Sequence, residues 1–260
     1  MKEKIYQRLI ELTNGKYSSL VLKRFVTSSF SKNFIQKYSK VYEIDLSEIS
    51  RELHSFSSLQ DFFTRQLKED ARPINLQEQT FISPVDAKIE SFGTIQHDAI
   101  FTVKNKPYTL QDLLGKEQMA DKYKNGNYIV FYLSPANYHR IHSPFNGVVI
   151  RQYVLGKKSY PVNQIGLTYG KKPISHNYRM ISEVQYQNNK NFALIKVGAM
   201  FVNSIELTNT SKTWIKGQEV GYFSFGSTVV MLFEQNSIKF TENVQKGHAV
   251  KMGEPIAIMI

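Results

Sequence analysis

The 260-residue chain contains no cysteine. This absence excludes disulfide bonds, thiolate metal sites and cysteine nucleophiles, and it is compatible with a reducing compartment. No run of eighteen consecutive apolar residues occurs, and the first ten residues, MKEKIYQRLI, lack an uninterrupted apolar segment. The sequence therefore predicts neither a membrane span nor a signal peptide. With 42% hydrophobic and 13% aromatic residues, the chain has enough apolar material for one sizeable core or two modest domains.

Acidic residues are scarce near the N-terminus, where positive charge is concentrated. The whole chain has a formal net charge of +11, and residues 1–41, with nine basic and two acidic residues, carry +7 of it. Apolar residues lie among these charges, mostly at the spacings of three, four or seven that are typical of a helical face. They are Ile5, Leu9, Leu12, Val21, Phe25, Phe34, Ile35 and Tyr38. The pattern fits both an interfacial membrane helix and an ordinary packed helix with a solvated basic face. No zinc-finger or RNA-recognition motif occurs, so no nucleic-acid partner is predicted.

The texture of the sequence changes near residue 75. Residues 1–75 are predicted to be helical, with a capped helix start at Ser57-Ser58-Leu59-Gln60 and an end near Arg72-Pro73. From residue 76 to 260, short runs rich in Val, Ile, Tyr and Phe alternate with Gly, Pro and Asn, which predicts strands and turns. The clearest runs are NYIVFYL (127–133), GVVIRQYVL (147–155), FALIKVGAMF (192–201) and STVVMLF (227–233). One exception, YTLQDLL (108–114), predicts a helix that runs into Gly115. The expected fold class is α+β: a basic helical region of residues 1–75, then a mostly antiparallel β-rich body of residues 76–260.

Two short internal echoes suggest how the β-rich body is built. ISPVDAKI (82–89) resembles HSPFNGVV (142–149), and KGQEVGYF (216–223) resembles part of KGHAVKMGEPI (246–256). Each echo has a turn that leads into a strand. Paired elements of this kind predict a pseudo-symmetric small barrel or sandwich, as in lipoyl-type carrier folds.

The stretch YFSFGSTVVMLF (222–233) contains an interruption that needs a reason. Both of its ends have strand composition, whereas Gly226-Ser227-Thr228 breaks the pattern in the middle. Glycine inside a strand often marks a bulge, a bend or a place where another group approaches the backbone. A β-bulge with a hydrogen-bonded serine and a reactive serine both fit these residues.

A serine nucleophile needs a base, and the base needs an orienting group. Two histidines, His139 and His142, lie in the aromatic and proline-rich segment YLSPANYHRIHSP (132–144) and are candidates for the base. Asp86, which follows Ser-Pro-Val at the start of a predicted strand, is the candidate orienting acid, although an Asp in that position also serves as an ordinary turn residue. The remaining histidines stand singly in polar contexts and are predicted to lie at the surface; they are His54, His97, His176 and His248.

Five segments together resemble the phosphatidylserine decarboxylases in order and spacing, from about residue 60 to the C-terminus. They are FFTRQLKEDARPI (62–74), SPVDAKI (83–89), YHRIHSP (138–144), VGAMFVNSI (197–205) and FGSTVV (225–230). Two positions depart from the family pattern. Phe225 replaces a leucine before Gly-Ser-Thr, and Ala87 replaces a glycine after the aspartate. Neither departure removes a reactive group, and both bear on the rate of maturation.

The resemblance implies that this chain is a self-cleaving proenzyme. The Ser227 hydroxyl would attack the Gly226 carbonyl, and β-elimination of the resulting ester would leave chains 1–226 and 227–260, with Ser227 converted to an N-terminal pyruvoyl group. Asp86 and His142 would be the acid and base that activate Ser227. Glycine at position 226 leaves room for the attack on its own carbonyl.

The resemblance also implies the reaction of the mature protein. The pyruvoyl cofactor would form a Schiff base with phosphatidylserine and accept the electrons left on Cα when CO₂ departs. This cofactor would explain how a chain without cysteine, metal ligands or a nucleotide loop can decarboxylate an amino acid. His139 would handle the proton, and phosphatidylethanolamine would be released. The two chains would stay together as a heterodimer, with further self-association left open, on the cytoplasmic face of the cell membrane. Two rivals stay open at this point: a pyruvoyl-dependent decarboxylase of another amino-acid substrate, and a non-catalytic, membrane-associated or carrier-like β module.

Overall fold

The structure is a computed structural model that describes residues 16–160, 162, 164–169, 172–199, 205–224 and 227–260. Several sequence predictions fall outside these residues. They concern residues 1–15 of the basic segment, residues 200–204 of the VGAMFVNSI motif, and Phe225 and Gly226 before the reactive serine.

The N-terminal region is helical up to residue 63. It comprises α1 (Lys16–Thr27), a 3₁₀ turn (Ser29–Phe34), α2 (Ile35–Val41), a second 3₁₀ turn (Leu53–Ser55) and α3 (Leu59–Phe63). These elements pack around a small apolar cluster of their own, formed by Val26, Ile35, Ile44, Ile49, Phe56, Leu59 and Phe62. No described helix is both long enough and apolar enough to cross a membrane.

Helix α3 starts where the sequence predicts and ends earlier. Ser58 is its N-cap, and the Ser58 Oγ accepts a hydrogen bond of 3.2 Å from the Asp61 backbone N–H. The predicted end near Arg72-Pro73 is wrong, because the helix stops at Phe63. The following residues pair with a distant segment instead: Leu67 forms an isolated antiparallel bridge with Ile49.

From residue 80 onward the chain is mostly strand, with short helices between strands. The strands are β1 (Thr80–Ile82), β2 (Ala87–Thr94), β3 (Ile100–Val103), β4 (Lys106–Thr109), β5 (Asn127–Leu133), β6 (Arg140–His142), β7 (Gly147–Leu155), β8 (Arg179–Gln185), β9 (Asn191–Gly198), β10 (Ile205–Glu206), β11 (Thr213–Trp214), β12 (Glu219–Phe223), β13 (Ser227–Phe233), β14 (Ile238–Phe240), β15 (Ala249–Val250) and β16 (Pro255–Met259). The helices are α4 (Leu110–Leu114), α5 (Glu117–Tyr123), α6 (Gln164–Tyr169) and α7 (Pro173–His176).

The strands form sheets that stack as a sandwich. The largest sheet has eight strands in the order β11-β7-β8-β9-β13-β5-β2-β15, and two three-stranded sheets have the orders β1-β16-β14 and β10-β12-β6. All pairs between these strands are antiparallel. The described strands close no barrel, so the predicted α+β class is confirmed in its sandwich form.

Strand β13 lies at the centre of this sandwich. All seven of its residues are buried, and each is paired with β5 on one side and β9 on the other. Side chains at alternate positions point to opposite faces. Val229, Met231 and Phe233 pack toward the small sheets, whereas Val230 and Leu232 pack toward α4 and α5. Such burial on both faces explains why STVVMLF is almost uniformly apolar.

The two similar segments ISPVDAKI and HSPFNGVV also make the same hydrogen bonds. We call residues 83–86 the first Ser-Pro turn and residues 143–146 the second. In each, the serine Oγ donates to the backbone carbonyl two residues later, at 2.7 Å, and the serine backbone N–H donates to a carbonyl in another turn, at 2.8 Å. The side-chain oxygen of the fourth residue, Asp86 or Asn146, accepts a backbone N–H at 2.9 or 2.7 Å.

Each Ser-Pro turn is hydrogen-bonded to another turn, and these partner turns do not follow the alignment of the two Lys-Gly segments in the sequence. The second Ser-Pro turn pairs with residues 216–218, as Gly217 N–H donates to the Ser143 carbonyl at 2.9 Å. The first pairs with residues 252–254, where Gly253 N–H donates to the Ser83 carbonyl at 3.1 Å. The structural counterpart of Gly217 is therefore Gly253, not the Gly247 that follows lysine in the sequence echo.

Candidate active site

Ser227 is a fully buried serine at the first position of β13. It lies between Leu133 of β5 and Gly198 of β9 in unbroken antiparallel register, so no bulge occurs within the strand. Its Oγ has no hydrogen-bond partner among the described residues. A buried hydroxyl without a partner costs about 1–3 kcal/mol. The alternative of a bulge with a hydrogen-bonded serine expects a partner that no described residue supplies, and Gly226, where the bulge was predicted, lies outside the described residues. The Oγ1 of the next residue, Thr228, is unpaired in the same way. Buried hydroxyls without a partner call for an explanation, and function is one.

His139 is also fully buried and also has a free atom. Its Nδ1 lies 2.8 Å from the Asn137 carbonyl oxygen. Because a carbonyl only accepts, Nδ1 carries the hydrogen and the lone pair is on Nε2, which has no partner among the described residues. The ring lies 3.9 Å, centroid to centroid, from that of Phe63. Burial, with a smaller effect of the Arg65 charge, lowers the pKa of His139 to about 3, so the imidazole is neutral.

Backbone hydrogen bonds place His139 near the start of β13, where Ser227 lies. The His139 carbonyl accepts a hydrogen bond of 3.0 Å from Phe223 N–H, four residues before Ser227 in the chain. On its other side, His139 follows Leu133 by six residues, and Leu133 is the partner of Ser227 in the sheet. The two buried unpaired groups, the hydroxyl and the imidazole nitrogen, therefore belong to one region of the sandwich.

His142 has both ring nitrogens engaged. Nδ1 donates to the Gly217 carbonyl at 2.8 Å, and Nε2 accepts from the Tyr138 hydroxyl at 3.1 Å. Burial lowers the pKa of His142, and the Gly217 hydrogen bond and the charges of Glu219 and Asp86 oppose that shift. His142 is thus a neutral, well-oriented imidazole whose lone pair faces a phenol.

Asp86 does not make the hydrogen bond to His142 that the sequence suggests. Its carboxylate accepts from Arg72 Nε at 2.8 Å and Nη2 at 2.5 Å, and from Met252 N–H at 2.9 Å. Arg72 also donates to Glu48 at 2.8 Å, and these hydrogen bonds outweigh the burial of Arg72 and raise its pKa. The group that orients His142 in this structure is the Gly217 carbonyl, because it occupies Nδ1. Asp86 acts on His142 only through its charge.

The sequence predicted the exposed histidines correctly and missed two residues near the site. The four histidines predicted to lie at the surface are all exposed. Two residues were missed: Tyr138, whose hydroxyl occupies His142, and Arg65, which donates to the carbonyls of Ala136 and Asn137 at 2.7 and 3.2 Å. The signal for Arg65 was a single arginine two residues after the aromatic pair of FFTR. The catalytic roles predicted for Asp86, His139, His142 and Ser227 stay predictions.

The geometry defines a class of protein: a β sandwich with an unpaired serine hydroxyl at the start of its central strand and two buried neutral histidines on an adjoining sheet and loop. Comparison with known proteins gives the family. A family model described as phosphatidylserine decarboxylase matches residues 59–258. The chain belongs to the phosphatidylserine decarboxylase family.

Individual relatives agree over nearly the whole length. A protein of Geobacillus sp. (strain WCH70) named phosphatidylserine decarboxylase proenzyme is 50% identical over 255 residues, which cover 98% of each chain. A protein of Anoxybacillus flavithermus with the same name is 49% identical, covering 98% of this chain and 96% of that one. A third, from Bacillus thuringiensis (strain Al Hakam), is 45% identical over 257 residues, covering 99% of this chain and 98% of that one.

Proposed function

We propose that the chain is a proenzyme that cuts itself between Gly226 and Ser227 and then decarboxylates phosphatidylserine to phosphatidylethanolamine. The observation that carries the proposal is the buried Ser227 Oγ without a partner, in a member of a family whose relatives are named proenzymes. Most buried hydroxyls in folded proteins are hydrogen-bonded, so an unpaired one in a family of proenzymes favours a reactive role. An unbonded hydroxyl is free to approach the preceding carbonyl.

In the maturation step, His142 is the base and Asp86 supports it electrostatically. The Nδ1–H bond to the Gly217 carbonyl fixes the tautomer, which leaves the lone pair on Nε2. Burial lowers the pKa of His142, and the Gly217 hydrogen bond, the charge of Glu219 and, to a smaller extent, the charge of Asp86 raise it, which makes the imidazole a better proton acceptor. For the proton of Ser227 to reach Nε2, the Tyr138 hydroxyl must either move aside or relay it.

The position of Ser227 suits the group that would replace it. Residue 227 is paired with both neighbouring strands. Because the Ser227 hydroxyl has no partner among the described residues, its loss would break no hydrogen bond there. A pyruvoyl group at this position supplies a sink for the electrons left when CO₂ departs. The chain contributes a dry surrounding, and His139, with its unpaired Nε2, is the group that exchanges a proton with the reacting carbon.

The two chains produced by the cut would stay together as a heterodimer. Residues 227–260 contain β13, which lies between β9 and β5, and β16, which lies between β1 and β14. They also contain β15, which pairs with β2. Because the smaller chain supplies the central strand of the large sheet, separation would require the core to unfold.

We further propose that the helical region holds the protein on an anionic membrane surface, at the cytoplasmic face. Residues 16–41 contain no acidic residue. Leu20, Val21 and Phe30 are 64%, 70% and 63% exposed, although Val26 and Ile35 are packed inside. The rings of Phe25, Phe30 and Phe34 meet edge to face on the outer side. Exposed aromatic and aliphatic groups beside basic ones are typical of interfacial binding.

This region is also next to the candidate active site, which supports a lipid substrate. The Tyr38 hydroxyl donates to the Pro135 carbonyl at 3.4 Å, and Arg65 donates to the Ala136 carbonyl at 2.7 Å. Both acceptors lie in the loop that leads from β5 to His139. A membrane that contacts the helical region is therefore close to the loop that carries the proton-handling histidine.

The intact mass of the purified protein, followed by a CO₂-release assay on phosphatidylserine vesicles, tests the proposal. We expect two chains, 1–226 and 227–260, with the smaller one blocked by a pyruvoyl group, and we expect Ser227→Ala to give one uncut, inactive chain. A wild-type protein that stays at 260 residues would instead support the non-catalytic β module. Cleavage without CO₂ release from phosphatidylserine would support a decarboxylase of another amino-acid substrate.

A further inference from the structure

Arg65 is a buried arginine with unused donors. It follows α3, and 4% of its surface is exposed. Its Nη2 donates to the carbonyls of Ala136 and Asn137, whereas Nε and Nη1 have no hydrogen-bond partner among the described residues. The guanidinium carbon lies 5.4 Å from the centre of the Phe62 ring. Nε and Nη1 lie on different edges of the planar guanidinium, because Nη1 is on the Cδ side and the Nε hydrogen points to the Nη2 side, so each is available to a ligand as a separate donor.

The charge of Arg65 is also uncompensated. No carboxylate of the described residues lies within ion-pair distance of it. The acidic groups that act on it from farther away, Asp86 and Glu48, are hydrogen-bonded to Arg72. Burial of a cation without a partner is costly and lowers the pKa of Arg65. An anion that binds here would remove that cost.

The site is coupled directly to His139. The Asn137 carbonyl oxygen accepts from Arg65 Nη2 at 3.2 Å and from His139 Nδ1 at 2.8 Å. Two nitrogens that share one acceptor lie within two hydrogen-bond lengths of each other. The unpaired donors of Arg65 and the unpaired Nε2 of His139 therefore belong to the same buried region, although nothing within the described residues uses either.

We propose that Arg65 binds the phosphodiester of the phospholipid headgroup through one of its unpaired N–H groups. This inference rests on the proposed function and names the part of the substrate that Arg65 recognises. The headgroup of phosphatidylserine has two anionic groups, the carboxylate and the phosphodiester. The carboxylate becomes neutral CO₂, so a strong ion pair with it would stabilise the substrate more than the transition state and slow the reaction. The phosphodiester keeps its charge throughout, and its oxygens accept strong charge-assisted hydrogen bonds from guanidinium N–H groups.

The experiment asks which of the two anionic groups, the carboxylate or the phosphodiester, Arg65 binds. Self-cleaved wild type, Arg65→Gln and Arg65→Lys are assayed with monomeric short-chain phosphatidylserine, and short-chain phosphatidylethanolamine is the inhibitor. The product lacks the carboxylate and retains the phosphodiester. We expect Arg65→Gln to raise both the KM and the inhibition constant of the product by about 10- to 100-fold, with little change in kcat. Arg65→Lys should restore part of both.

Matched controls separate binding from general damage. Arg51→Gln removes a positive charge from the same helical region, but Arg51 is half-exposed and already paired with Asp61, so both constants should stay within about twofold of wild type. Inorganic phosphate at the same concentration as the product should inhibit wild type far less, since it lacks the rest of the headgroup. Equal inhibition by phosphate would overturn the assignment to the headgroup.

Three further results would overturn the proposal. A raised KM with an unchanged product constant would assign the carboxylate to Arg65. A fall in kcat alone would make Arg65 a positioning residue for His139. If Arg65→Gln does not mature, Arg65→Lys carries the test, and wild-type constants in that variant would refute phosphodiester binding. Should wild type release no CO₂, the proposed function fails separately, and the thermal shift that short-chain phosphatidylethanolamine produces in wild type but not in Arg65→Gln still tests the site.

Discussion

Replacing Asp86 with asparagine separates its structural role from its electrostatic one. The second Ser-Pro turn shows that an amide can hold this turn, because Asn146 Oδ1 accepts Lys216 N–H at 2.7 Å just as Asp86 Oδ1 accepts Met252 N–H at 2.9 Å. We therefore expect Asp86→Asn to keep the turn and lose the ion pair with Arg72.

The magnitudes follow from the contacts. Asp86→Ala removes one partner of a buried ion pair, which typically costs about 3–5 kcal/mol of unfolding free energy. The hydrogen bond from Met252 N–H accounts for about 1–2 kcal/mol of this, so Asp86→Asn should cost about 2–3 kcal/mol. Asn146→Ala loses a neutral hydrogen bond and should cost about 0.5–1.5 kcal/mol.

Urea unfolding in the uncut Ser227→Ala background measures these differences on a single chain. Self-cleavage of the same variants with Ser227 restored is then followed on denaturing gels. Asp86→Asn should mature more slowly than wild type although it folds, because one of the two carboxylate charges that raise the pKa of His142 is gone, while that of Glu219 remains. Equal destabilisation by Asp86→Asn and Asp86→Ala, or wild-type cleavage in a folded Asp86→Asn, would refute the separation of roles.

Three other perturbations test the remaining assignments. His142→Ala should accumulate the uncut chain, whereas His139→Ala should still mature but release CO₂ about 10²- to 10⁴-fold more slowly. Denaturing gels and a CO₂-release assay on both variants test this. Failure of cleavage in His139→Ala alone would show that the two roles are reversed. Phe30→Ser should weaken binding to anionic vesicles about tenfold in sedimentation assays, while Val154→Ser, an exposed valine on β7, should have no effect, and equal losses would contradict a specific membrane face. Burial lowers the pKa of Lys196 from 10.5 to about 7, so the folded state binds this proton more weakly than the unfolded state, and stability should rise with pH between those values. Lys196→Met should flatten that part of the urea-unfolding profile, and an unchanged slope would show that Lys196 does not titrate as inferred.

The β-rich part of the fold was readable from the sequence because β-branched and aromatic residues are concentrated in its strands, both in the fully buried β13 and in β7, which has no buried residue. NYIVFYL, GVVIRQYVL and STVVMLF form strands over the predicted residues, 127–133, 147–155 and 227–233. Local composition predicted the secondary structure less well where pairing with another segment determines it. The predicted helix at 108–114 begins at Leu110, because Lys106–Thr109 pair with β3 as strand β4.

The candidate site was predictable in its residues and less so in its contacts. Motif order singled out Asp86, His139, His142 and Ser227. The partner of His142, however, is the carbonyl of Gly217, 75 residues away, and a backbone carbonyl has no sequence signature. An unpaired atom such as Nε2 of His139 likewise cannot be predicted from sequence, because it depends on the absence of a donor or acceptor nearby in the fold.

The proposed cut between residues 226 and 227 would affect the two Ser-Pro turns differently. The second turn is hydrogen-bonded to residues 216–218, which would stay in the same chain, whereas the first is hydrogen-bonded to residues 252–254, which would belong to the small chain. Two turns with the same hydrogen bonds would then become one contact within a chain and one contact between chains. Through its hydrogen bond with Met252 N–H, Asp86 would become a residue of the interface between the two chains.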